Sequence, residues 1–86
     1  MKVTVKYFAS IRESIGQGSE VLQTSATTLG QLRCELVARG GAYAECLDAA
    51  FKGKTLRMAL NQDMSDDSAM LVDGCEVAYF PPVTGG

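Results

Sequence analysis

Histidine does not occur anywhere in this 86-residue chain. Its absence removes the usual general base at neutral pH, the usual partner of a serine or cysteine nucleophile, and the commonest metal ligand. Cysteine is sparse: Cys34, Cys46 and Cys75 are odd in number and irregularly spaced, which fits neither a disulfide framework nor a zinc site. They read as small buried hydrophobes in a reducing compartment rather than as reactive thiols. Basic residues form no cluster and the net charge is −2, so nucleic acid and anionic membrane are poor partners. No apolar run approaches a membrane span, and Met1 leads into a strand pattern without a signal peptide, so the expected location is cytoplasmic. Internal repeats, low-complexity tracts and linkers are missing as well. Proline occurs twice, and both copies stand together at Pro81-Pro82.

What is present is the profile of one folded soluble domain with a modest core: 47% hydrophobic and 21% charged residues. Val3, Val5 and Tyr7 alternate with Lys2, Thr4 and Lys6, as in a strand with one buried face. Phe8 falls on the polar side by parity. Ser10-Ile11-Arg12-Glu13 reads as a capping box for a short helix that Gly16 and Gly18 stop; Gly16-Gln17-Gly18 is a turn, too isolated for a phosphate loop. Glu20 to Thr24 is a second strand, with Val21 and Leu22 as its apolar content. Thr28 and Gln31 form another capping box, and Leu29, Leu32, Leu36 and Val37 then mark one face of a helix of about three turns. Gly40-Gly41 supplies a left-handed cap and a loop. Ala42 to Phe51 has helix-compatible spacing but equally suits a loop with one helical turn, broken by Gly53. Leu56 to Leu60 is a strand, Asn61-Gln62-Asp63 a turn, and Met64 begins a short return strand. Turns at Asp66-Asp67-Ser68 and Asp73-Gly74 lead to the last strand, Glu76 to Phe80.

This order predicts an α+β β-grasp (ubiquitin-like) fold: a mixed sheet of four or five strands with one main helix across one face. A ferredoxin-like fold needs a second solid helix before the final strand, and Asp66 to Asp73 offers none. The helix would cover Val3, Val5, Tyr7, Val77 and Tyr79. The other face would be solvated, except that Phe8 and Phe80 both point into it, with Met64 able to extend an apolar patch suited to a partner. Residues 1–80 are thus expected to form the domain and 81–86 an extended tail. Two prolines end the sheet ladder and favour a polyproline-like exit; Gly85 and Gly86 leave the last backbone thin enough for a narrow slot. Two terminal glycines arise by chance only about 0.5% of the time. A frayed end is the bland alternative.

The segment Asp73-Gly74-Cys75-Glu76-Val77-Ala78-Tyr79-Phe80-Pro81-Pro82-Val83-Thr84-Gly85-Gly86 resembles the ending of the small subunits of molybdopterin synthase, the MoaD-type sulfur carriers. Val5 to Ala9 with Ile11-Arg12-Glu13, and Ala59-Leu60-Asn61-Gln62, extend the resemblance over most of the chain; it is weakest from Gly40 to Lys54. The resemblance implies a carrier that is not catalytic by itself. An adenylating enzyme related to ubiquitin-activating enzymes would use ATP on the Gly86 carboxylate, and a sulfur donor would convert the acyl-adenylate to a thiocarboxylate. The tail (Pro81, Pro82, Val83, Thr84, Gly85, Gly86) would enter the large synthase subunit within a heterotetramer, with Phe8, Met64 and Phe80 as the contact surface. Sulfur would pass there to cyclic pyranopterin monophosphate to build the dithiolene of molybdopterin. No metal or permanently bound cofactor is expected, and Arg12 is assigned only a surface or structural ion pair. A ubiquitin-like protein modifier, a thiamine-pathway sulfur carrier and an inert-tailed interaction domain remain alternatives.

Overall fold

The computed structural model describes residues 1–48 and 56–81. Alternating polar and apolar residues make Lys2–Tyr7 the first strand, β1, whose Val3, Val5 and Tyr7 are at most 1% exposed. The chain continues through helix α1 (Ala9–Ile15), strand β2 (Ser19–Gln23), helices α2 (Leu29–Val37) and α3 (Gly41–Leu47), and strands β3 (Arg57–Leu60), β4 (Asp63–Ser65) and β5 (Glu76–Phe80). One five-stranded sheet results, in the order β2-β1-β5-β3-β4. Its centre is the parallel pair β1 and β5, in register Val5↔Val77 and Tyr7↔Tyr79; the other neighbours are antiparallel. The expected mixed β-grasp sheet is therefore the one observed. No helix occupies the stretch from Asp66 to Asp73.

Helix α2 lays Leu29, Leu32 and Leu36 onto the sheet, and these join Val5, Val77 and Tyr79 in one core. Thr28 caps α2 by accepting the Gln31 N–H at 3.2 Å. The reciprocal half of the expected box differs: the Gln31 carboxamide accepts from Thr27 N and Oγ1, at 2.8 and 2.9 Å. Gly40 and Gly41 adopt positive φ, but they join α2 directly to α3, not to a loop. Helix α3 resolves the ambiguity of that region as far as Leu47, which is fully buried; Ala50, Phe51 and Gly53 lie outside the described residues.

Helix α1 departs from expectation at its start. Ser10 lies inside the helix, and Phe8 occupies the cap position in an extended conformation without a side-chain cap bond. Ala9 makes the turn at φ 51°, a left-handed value that costs a non-glycine residue about 1–2 kcal/mol. The Phe8 carbonyl then accepts from Ile11 N at 3.1 Å and Arg12 N at 3.3 Å. Strand β2 also differs in detail. Leu22 packs on the core, whereas Val21 faces solvent at 57% exposure, because adjacent strand residues point to opposite faces. Of the cysteines, Cys75 is buried and Cys46 half-buried, but Cys34 is exposed on α2, so the small-hydrophobe reading does not extend to Cys34.

Candidate functional site

Tyr7 and Phe8 are successive residues at the end of β1, and strand alternation sends them to opposite faces. Tyr7 is pinned inward: its hydroxyl donates to Glu20 Oε2 at 2.8 Å, and its ring stacks on Tyr79 at 6.4 Å. Glu20 also accepts from Tyr43 at 3.1 Å, Gln17 at 3.0 Å and Arg39 at 3.0 Å, so one carboxylate ties β1, β2 and α3 to the end of α2. Burial by itself pushes the Glu20 carboxyl up, but hydrogen bonds from Tyr7, Arg39 and Tyr43 outweigh it and hold the group below the usual range. Burial, reinforced by Glu20, pushes the Tyr7 phenol up, so it remains a donor at any physiological pH.

With Tyr7 fixed inward, Phe8 is presented on the outer face. It stacks on Phe80 with ring centroids 4.7 Å apart and planes 12° apart, the favoured parallel arrangement of two rings. Phe8 is 39% and Met64 60% exposed, while Phe80 is half-buried. These three residues line a shallow depression of about 370 Å³ together with Ala9, Arg57 and Pro81. Four of the sequence-predicted contact residues, Phe8, Met64, Phe80 and Pro81, are thus brought together at the end of β5. Pro82, Val83, Thr84, Gly85 and Gly86 lie outside the described residues.

Ala9 and Arg57 are the lining residues that sequence reasoning passed over. Arg57 looks like the solvent half of a strand; only its pairing opposite Phe80 across β3 and β5 reveals where it stands. On the same outer face Ala59 and Ala78 pair and are 3% and 6% exposed, so the sheet is less solvated there than expected. Among the described residues no group of side chains could hold a metal ion, and no helix is long and apolar enough to cross a membrane.

A parallel β1–β5 pair at the centre of the sheet and a helix across one face define a ubiquitin-like β-grasp protein, with an apolar patch at the end of its last strand. Residues 5–86 match the model of the ThiS family, and the chain belongs to that family. It is 37% identical over 84 residues to the molybdopterin synthase sulfur carrier subunit of Escherichia coli, an alignment spanning 98% of this chain and 99% of the relative. A putative molybdopterin converting factor, subunit 1, from Pyrococcus furiosus superposes with a TM-score of 0.76 at 27% identity, over 96% of this chain and 99% of that one. A chain from the protein–protein complex of subunits 1 and 2 of the molybdopterin-converting factor of Helicobacter pylori superposes with a TM-score of 0.69 at 28% identity, over the full length of both.

Proposed function

We propose that this protein is the sulfur-carrying small subunit of a molybdopterin synthase, with the Gly86 carboxylate as its reactive group. A free carboxylate is a poor electrophile. In the proposed cycle a Gly86 oxygen attacks the α-phosphorus of ATP on a ubiquitin-activating-like enzyme, and pyrophosphate leaves. Sulfide delivered by a donor then attacks the acyl carbon and expels AMP, leaving a thiocarboxylate. The charged carrier docks on the large subunit, in a heterotetramer, and sulfur passes to cyclic pyranopterin monophosphate; hydrolysis returns the carboxylate. Two such transfers complete the dithiolene. The proposed dependence on ATP and sulfide suits a cytoplasmic protein. The carrier itself needs no metal and no bound cofactor for these steps, because every acid, base and leaving-group function belongs to its partners.

The observation that carries this reading is the Phe8–Phe80 stack, left partly exposed where the chain leaves the sheet. A partner that buries those rings receives the chain beyond Pro81 at its own surface. Fixing the backbone of a bound segment costs about 1–2 kcal/mol per residue, and burial of the patch would offset such a cost at about 25 cal/mol per Å². Identity of 37% over 98% of the chain to a molybdopterin synthase sulfur carrier subunit favours this pathway over the thiamine one. The test is the intact mass of the protein co-expressed with an adenylating enzyme and a sulfur donor. One terminal oxygen should exchange for sulfur, and deletion of Gly86 should abolish the exchange while leaving the fold intact. An unchanged mass refutes the carrier reading; Gly86-dependent conjugates of higher mass would establish a protein modifier in its place.

A further inference from the structure

The chain has four arginines, and their partners divide them sharply. Arg33 pairs with Asp67 at 3.2 Å and Arg39 with Glu20 at 3.0 Å. The guanidinium groups of Arg12 and Arg57 have neither a carboxylate nor a hydrogen-bond acceptor among the described residues. These two unpaired cations are also the two that border the apolar patch. Arg57 stands opposite Phe80 and lines the depression from the β3 side. Arg12 comes from the α1 side, four residues after Phe8, in a hollow that meets the first at Ala9. Its stem crosses the turn before β2, where Gly18 leaves room: a Cβ there would sit 3.2 Å from Arg12 Nε.

A partner that covers the rings also strips water from both guanidinium groups. Leaving a charge desolvated and unpaired is strongly unfavourable, so an accepting surface must bring counter-charges. We propose that Arg12 and Arg57 select the docking partner, and that the large-subunit surface seated on Phe8 and Phe80 presents an apolar projection flanked by carboxylates. The guanidinium fork suits such groups because it can donate two parallel hydrogen bonds to one carboxylate. This inference rests on the docking role proposed above and assigns the charge of the surface that docks.

Binding of the purified cognate large subunit to the full chain, measured at low and high ionic strength, tests it, with folding of each variant checked by thermal melting. R57E and R12E are each expected to weaken binding about tenfold at low ionic strength, mainly through slower association, and the difference should shrink as salt screens it. R57K keeps the charge but loses the fork, so it should weaken binding less than R57E does. F80D serves as the control for docking itself. Loss of binding in F80D with unchanged affinity in R57E and R12E overturns the role of the arginines and leaves the docking surface standing. Tighter binding by R57E overturns it as well, since the facing surface would then be basic. Unchanged affinity in F80D removes the docking surface and this inference with it.

Discussion

Glu20→Ala is expected to destabilise the fold by about 2–3 kcal/mol, and the figure follows from what each bond can contribute. The Tyr7 hydroxyl donates to the Glu20 carboxylate at 2.8 Å from a residue only 1% exposed. A hydrogen bond to a charged group contributes about 1.5–3 kcal/mol, and water cannot readily replace the lost acceptor at such a site. The Arg39 side chain is 38% exposed, so its ion pair adds only about 0.2–1 kcal/mol. Tyr43 and Gln17 lie close enough to solvent for water to take over their bonds. Urea unfolding should report the loss as a lower midpoint with an unchanged slope. In a Tyr7→Phe background the same substitution should cost much less, because the principal donor is already gone. The pH dependence has a definite sign. The folded carboxyl titrates below its ordinary value of 4.5, so its contribution is complete above that pH and is lost as pH falls through the folded value. Glu20→Gln should flatten the stability profile in that acidic window. A loss under about 0.5 kcal/mol in Glu20→Ala would refute the view that this carboxylate fastens the end of β1.

Three further substitutions probe other parts of the fold. Tyr79 is fully buried and its hydroxyl has no hydrogen-bond partner among the described residues, so Tyr79→Phe should be neutral or stabilise by up to about 1 kcal/mol in urea unfolding; a clear destabilisation would refute that. A Cβ at Gly30 would lie 2.9 Å from Asp67 Cβ and 3.2 Å from its carbonyl oxygen. Gly30→Ala should therefore cost about 1–3 kcal/mol by overpacking, despite the better helix propensity of alanine, and a raised melting temperature would contradict that. Thr28→Ala removes the cap on Gln31 N and should cost about 1 kcal/mol, read as a lower denaturation midpoint; no shift would mean water caps the helix equally well.

The elements most legible in the sequence are those in which local pattern and tertiary environment agree. Strand β5 has the boundaries that its alternation predicts, and α2 follows its leucine stripe and its Thr28 cap. The meeting of Phe8 and Phe80 follows from parity and from the pairing of the first and last strands. Local chemistry misled where a longer-range constraint prevailed. Ser10-x-x-Glu13 has the form of a capping box, but Phe8 stays extended against Phe80 and Ala9 takes the strained turn, which places Ser10 within the helix. The Glu20 hub had no local signal, since its donors come from residues 7, 17, 39 and 43. Arg57 was equally silent, because an isolated arginine on a strand says nothing of the ring across the ladder.

The central parallel pair has a mechanical consequence. Strand β5, the last segment of the sheet, is flanked by β1 on one side and β3 on the other. A pull on that segment loads the interstrand bonds on both sides in shear, so many must yield together; they cannot be peeled away one at a time. A partner that grips the end of the chain, and later lets it go, can thus tug on this protein without unravelling the strand that anchors it.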